Sequence, residues 1–331
     1  MSDQLMHAAK AGDRAAFDEL VGPHRDELRV HCYRMLGSLH DAEDAVQKTL
    51  LSAWLALDGF AARSSLRTWL YRIATNRCLN LLRSARRRPG ADQALPVPAP
   101  EPTRLGEVFW LQPYPDVLFD ELASTQRGPD AVHESREAIS LAFVTAIQLL
   151  PPKQRAVLLL RDVLGYNARE TAGVLDTSVE SANSALQRAR ATLATSYRPQ
   201  SPPPSGGVEE QRLVDRLVEA LLSGDIAGLV ALMNDDVWVR MPPLPFEYHG
   251  REAAEQFFAA AASHRRGSVR LVPTHANGQP AWGDYHRDPC SGGLIIAGIE
   301  VLGLDCGGVS EFTRFEASLA PYFGLPNRIS A

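Results

Sequence analysis

Apolar positions in the first eighty residues recur at helical spacing. Phe17, Leu20 and Val21 share one face, followed by Leu28, Cys32 and Met35 or Leu36. Gly37 reads as a C-cap and Ser38 as the start of a polar turn. From there Ala42, Ala45, Val46, Thr49, Leu50, Ala53 and Trp54 draw an apolar stripe, with Asp41, Glu43, Asp44, Gln47 and Lys48 opposite. After a break at Asp58-Gly59, the segment SSLRTWLYRIATNRCLNLLRSARRR predicts another long helix. A second helical group begins near Val132. Residues 135–150 read as a helix ended by Pro151-Pro152, and residues 153–164 as one ended by Gly165. Two short helices separated by Asp176-Thr177 follow.

The period then changes. Residues 209–222 repeat Leu213-Val214, Leu217-Val218 and Leu221-Leu222 at four-residue steps. Strand-like runs come next (VWVRMPP, GSVRLVPTHANG, AWGDYHRD, LIIAGIEVLGLD and VSEFTRFEA), interrupted by a helix over 251–262. The pattern predicts two all-α helical domains, the second a helix-turn-helix, followed by an α+β domain. Two stretches read as semi-rigid spacers: residues 89–102, with five prolines, and the run PQSPPPSGG over 199–207. The predicted organisation is 5–90, a linker over 91–130, 131–198, a short linker over 199–208, and 209–327.

The chain has 331 residues, 45% of them apolar and 22% charged, a globular composition. It has neither a long apolar run nor a basic-then-apolar start, so a cytoplasmic protein without a membrane span is expected. Cys32, Cys78, Cys290 and Cys306 are scattered without a C-x-x-C pair and read as idle thiols. No metal or cofactor is expected. The net charge of −5 hides an asymmetry: residues 59–90 carry eight arginines and no acid, whereas residues 91–130 carry seven acids and two bases. A wholly basic block in an acidic chain suggests a local polyanion site.

Three constellations carry the candidate chemistry. Asn167 with Glu170 can cap the helix ARETAGVL, and Thr177 with Glu180 forms a T-x-x-E capping box for the helix SVESANSALQRARATL. Two short helices about a tight turn make a helix-turn-helix, whose second helix would present Ser178, Glu180, Ser181, Asn183, Ser184, Gln187, Arg188 and Arg190 to a major groove. Asn and Gln match adenine edges there, and Arg matches guanine or phosphate. An ordinary helical hairpin is the plainer reading. In the basic block from Arg63 to Arg88, Arg67, Arg72, Arg77, Arg83, Arg86 and Arg87 stand beside Trp69, Tyr71 and Asn76. Cations that neutralise phosphate and an aromatic that stacks on a base suit melted DNA. A solvated helix face with a core Trp69 is the alternative. The acidic face Asp41, Glu43, Asp44 and Gln47 is either solvated or docks on a basic partner.

The order of three blocks resembles the extracytoplasmic-function sigma factors: LGSLHDAEDAVQKTLLSAWLAL, then the arginine-rich helix, then LPPKQRAVLLLRDVLGYNARETAGVLDTSVESANSALQRARATL. The resemblance covers roughly residues 5–198. It implies that Asp41 to Gln47 bind core RNA polymerase and that Trp69 to Arg77 belong to the helix that melts and reads the minus-ten element. Asn76, Asn80 and Arg83 are contacts by that resemblance, although the family commonly has Asp where this chain has Asn80. The helix-turn-helix would read the minus-thirty-five element of promoter DNA. The acidic linker, with WLQPYPDVLFDEL inside it, would run through polymerase channels meant for nucleic acid. Covalent chemistry is then expected from the polymerase and none from this chain.

From 209 onward the chain resembles the SnoaL-like fold appended to some of these factors, in the actinobacterial arrangement with a P-Y-P-D linker at Pro113 to Asp116. The resemblance implies a cone-shaped domain acting in cis as a regulator. Some SnoaL-like proteins are enzymes, and Trp238, His249, Trp282, Asp284 and His286 are candidates for a pocket holding an unknown small ligand. Packing and surface polarity explain them equally well. Two other readings stay open: a one-component DNA-binding regulator with a ligand-sensing C-terminal domain, and a SnoaL-type enzyme fused to a DNA-binding arm.

Overall fold

The computed structural model describes residues 2–62, 64–84, 99–107, 110–118, 138–196, 207–264, 269–288, 292–305 and 308–330. Arg86, Arg87, Cys290, Cys306 and most of both proline-rich stretches lie outside the described residues. The chain divides into two compact units. The first takes in residues 1–88, 118–139 and 144–197, and the second residues 89–117, 140–143 and 198–331.

The first unit is helical: α1 (Ser2–Lys10), α2 (Arg14–Val21), α3 (Arg25–Leu36), α4 (Leu39–Ala56), α5 (Leu66–Ser84), α6 (Leu141–Gln148, whose first three residues fall in the second unit), α7 (Pro152–Leu158), α8 (Ala168–Leu175) and α9 (Val179–Ser196). Local chemistry sets the ends. The Asp13 carboxylate accepts the N–H groups of Ala15 and Ala16, starting α2. Gly37 ends α3 with φ 71°, a left-handed conformation that suits a residue without a Cβ. Ser38 then caps α4 by accepting from the Asp41 N–H at 3.2 Å.

Packing follows the predicted stripes. Ala42, Ala45, Leu50 and Ala53 of α4 are buried, and Trp54 meets Phe17 edge-on at 5.1 Å. His31 is buried between α3 and α5, 2.9 Å from the Thr75 hydroxyl. Burial pulls its imidazole down to a pKa of about 3, so it stays neutral.

Two helices differ from expectation. Of the stretch 135–150, residues 135–137 lie outside the described residues, 138–140 form a turn, and the helix then runs from Leu141, where Ser140 accepts from the Phe143 N–H. The stretch 153–164 is α7 followed by a π turn, Leu159–Val163. The N–H of Leu164 closes on Leu159, and that of Tyr166 on Leu160. The wider turn re-aims the chain before Gly165, at φ 71°.

The second unit carries α10 (Val208–Ser223), α11 (Ile226–Ala231) and α12 (Arg251–His264) with an eight-stranded sheet. Its strands are β1 (Arg104–Leu105), β2 (Met233–Arg240), β3 (Phe246–His249), β4 (Val269–Ala276), β5 (Gln279–Arg287), β6 (Leu294–Asp305), β7 (Gly308–Glu316) and β8 (Arg328–Ile329). The order is β1-β3-β2-β7-β6-β5-β4, with β8 beside β6; among the described residues only the β2–β7 pair is parallel. One face of the sheet packs on the helices: Val237, Val239, Trp282, Leu302 and Phe312 meet Leu217, Leu221, Ala254, Phe257 and Phe258.

Candidate nucleic-acid interface

Helix α5 sorts its residues by face. Leu70, Tyr71, Ala74, Cys78 and Leu79 are buried, while Arg72, Asn80 and Arg83 are exposed and Asn76 and Arg77 half-buried. The positions 72, 76, 80 and 83 step by four, four and three residues, so they line one stripe about 16 Å long. That length matches about five base steps of 3.4 Å. Trp69 is half-buried, its ring 5.0 Å from that of Phe60. Arg67 has partners inside the unit. Its Nε donates to Glu27 Oε2 at 2.8 Å, and its guanidinium lies over the rings of Tyr71 and Tyr166. Burial raises the Glu27 carboxyl, but hydrogen bonds from His24 and Arg67 outweigh it and hold the group below the usual range.

The helix-turn-helix forms as α8 and α9. The Asn167–Glu170 capping box is present in full. The second cap is corrected by one residue. Asp176 turns left-handed (φ 48°), the Thr177 N–H closes on Ala172, and Ser178 therefore receives the Ser181 N–H at 3.1 Å. Ala182, Ala185, Leu186 and Ala189 are buried, whereas Glu180, Ser181, Asn183, Ser184, Gln187, Arg188 and Arg190 are exposed. Arg190 reaches back to the π turn, bonding both Asp162 oxygens at 2.9 and 2.7 Å. It braces the helix from within the fold.

On α4, Gln47 is exposed, Asp41, Glu43 and Asp44 are half-buried, and Asp44 pairs with Lys48. Leu51 and Leu55 are 58% and 75% exposed. With Gln47 they form a row at four-residue spacing that the sequence reading missed. The available signal was two leucines beyond the stripe needed for packing.

The linker is not a free spacer. Residues 99–117 belong to the second unit, where β1 pairs antiparallel with β3 (Arg104 opposite Glu247, Leu105 opposite Phe246). The Thr103 hydroxyl donates to Glu247 O and accepts from the His249 N–H, and the Tyr248 hydroxyl donates to Pro100 O at 2.9 Å. Gly106 donates to Pro245 O, and a Cβ there would lie 2.5 Å from the Glu247 carboxylate. Further along, Tyr114 is fully buried. It exchanges hydrogen bonds with Asn277, accepting at 2.8 Å from that residue's N–H and donating its own to Oδ1 at 2.7 Å. Asp116 accepts from the Gly278 N–H at 2.8 Å. The P-Y-P-D motif is thus read by the β4–β5 turn.

The five pocket candidates do not share one pocket. Alternation along β2 puts Trp238 opposite in sense to the core residues Val237 and Val239. Trp238 stacks on His249 at 4.1 Å and lies under Arg240. Trp282 lies on the core face against Phe312, with Asp284 and His286 following on that face. The sheet itself separates the two groups. Trp282 donates to the buried Glu300, and His286 Nε2 lies 2.8 Å from Asp284 Oδ2. Among the described residues no group of three or more His, Cys, Asp or Glu is placed to hold a metal, and no helix is long and apolar enough to cross a membrane.

Comparison with known proteins agrees with this layout. Family profiles match as Sigma-70 region 2 over residues 20–88, Sigma-70 region 4 over 140–193 and a SnoaL-like domain over 214–311. The ECF RNA polymerase sigma factor SigG of Mycobacterium tuberculosis is 43% identical across 97% of this chain and 86% of its own length. SigW of Bacillus subtilis is 30% identical over 60% of this chain and 97% of its own length. The crystal structure of the Mycobacterium tuberculosis sigma factor SigJ superposes with a TM-score of 0.60 at 21% identity, covering 94% of this chain and 99% of that one, and so shares the fold. A basic helix, a helix-turn-helix and a third domain in this order, with a relative this similar along nearly the whole chain, place the protein in one family: it is an extracytoplasmic-function sigma factor with a C-terminal SnoaL-like domain.

Proposed function

We propose that the chain engages core RNA polymerase through the Gln47–Leu51–Leu55 row and the acids beside it on α4. Melted minus-ten DNA meets Arg72, Asn76, Asn80 and Arg83, and the minus-thirty-five element meets Asn183, Ser184, Gln187 and Arg188. The exposure of Gln47, Leu51, Leu55, Arg72, Asn80, Arg83, Asn183, Ser184, Gln187 and Arg188, on helices whose opposite faces are buried, supports the assignment; Asn76 and the α4 acids are half-buried. Catalysis stays with the polymerase.

The C-terminal domain regulates in cis by holding the linker. The observation that carries this is the linker itself, paired into the sheet at β1 and buried at Tyr114. A segment bound there is unavailable to polymerase, so the two placements compete, and whatever stabilises one opposes the other. The test is in vitro transcription with core polymerase, comparing the full chain, the Tyr114→Ala variant and residues 1–198. Release of the linker should raise promoter-specific transcript several-fold at limiting polymerase. Equal output from all three would remove the regulatory role, and no output from residues 1–198 would favour an enzyme- or sensor-centred protein.

A further inference from the structure

The buried face of α9 does little to fix its angle. That face is Ala182, Ala185, Leu186 and Ala189, and it rests on α7 and α8. Long side chains interdigitate into the ridges and grooves that set how two helices cross, and alanines make only shallow ones. A helix seated on such a face needs a clamp to hold its rotation and tilt. Arg190 supplies one. Its Nε donates to Asp162 Oδ2 at 2.9 Å and a second guanidinium nitrogen to Oδ1 at 2.7 Å, a two-pronged fork that sets direction as well as distance. The acceptor belongs to the π turn, which is anchored in the core through the fully buried Leu159 and Leu160. Leu164 and Tyr166 close that turn onto the carbonyls of the same two leucines, each at 2.9 Å.

The clamp sits where a small movement matters. Arg190 comes one turn after Leu186 and Gln187, at the border between the exposed stripe and the buried face. It lies in the second half of α9, whereas a recognition helix reads bases with residues toward its N-terminus. Asn183 is ~10 Å back along the axis, so a tilt of ~10° about Arg190 moves it by roughly 2 Å. A hydrogen bond does not survive such a shift. We infer that Arg190 is a positioning residue for promoter reading: held by Asp162, it fixes the angle at which α9 presents Asn183, Ser184, Gln187 and Arg188, and does not itself touch DNA. The inference rests on the reading of α9 as the minus-thirty-five helix.

The test uses the full chain bound to core polymerase. The probe is a duplex that this holoenzyme selects from a random-sequence pool, together with the same duplex carrying a scrambled upstream element. The ratio of the two affinities measures minus-thirty-five reading. Arg190→Ala, Asp162→Ala and the double variant should each lower the ratio about ten-fold, the scale of one lost base contact. All three factors should be equal, because each variant removes the same clamp. Affinity for the scrambled duplex, and its salt dependence, should stay as in the original chain, since so exposed an ion pair adds little to stability and the fold persists. Arg190→Lys keeps the charge without the fork and should lose part of the ratio. A plot of log affinity against log salt that flattens by about 0.9 in Arg190→Ala alone would make Arg190 a phosphate contact and overturn the inference. So would a ratio that Asp162→Ala leaves unchanged, or losses that add in the double variant. Asn183→Ala combined with Gln187→Ala separates the two readings. If that chain keeps the original ratio, α9 does not read the element and the underlying assignment fails. If its ratio falls while that of Asp162→Ala holds, only the clamp fails.

Discussion

The two reading helices of the first unit and the sheet of the second handle charge in opposite ways. On α5 and α9, Arg72, Arg83 and Arg188 stand on exposed faces over fully packed backs. In the sheet, Arg240 is half-buried between Glu247 and Glu311, at 3.2 and 2.6 Å, and lies 4.6 Å from the centre of the Trp238 ring. Glu300 there is capped by Trp282, and Asp284 pairs with His286. Charge left outward is available to an outside polyanion. Charge satisfied inward fixes strand positions, among them the Glu247 site against which the linker strand lies. The difference separates a surface that waits for a partner from one that already holds a segment of its own chain.

Three tests sharpen this contrast, the largest effect first. Arg240→Met leaves the buried Glu311 without its cation, while the half-buried Glu247 keeps Arg104 at 3.4 Å, and should cost about 3 kcal/mol, read as a lower unfolding midpoint in urea. A loss near zero would mean that the network is solvated and does not organise the sheet. Replacing Arg72 and Arg83 together by Ala should weaken binding to promoter fork DNA roughly ten-fold and flatten the plot of log affinity against log salt by about 1.4, two single-strand phosphate contacts. An unchanged slope would place the DNA surface elsewhere. Ser178→Ala removes the N-cap of α9 and should cost about 1 kcal/mol, whereas Thr177→Ala at the neighbouring position should cost measurably less. Equal losses would restore the cap that the sequence suggests.

Much of the first unit was legible because its signals are local. The cap at Asn167 and the stop at Gly37 depend on hydrogen bonds spanning a few residues, and Ser38, read as the start of a turn, caps α4. The stripe on α4 depends on helical period alone. The cap at Ser178 was misread by one residue because the turn conformation of Asp176 decides where the helix starts. Arg67 looked like its neighbours in the basic block, yet Glu27, forty positions earlier, pairs with it. The pocket candidates do not form one group, because strand alternation put Trp238 and Trp282 on opposite faces of one sheet.

By itself the sequence determined the helices, their order, the family they spell out and the change to an α+β domain, since periodicity and capping act within a turn or two of chain. Only the tertiary structure decided that the P-Y-P-D linker lies on the β4–β5 turn, that Arg155 closes on the end of α3, and which charges remain outward. Those outcomes depend on strand register and on partners roughly 120 to 160 residues away, which no local pattern encodes.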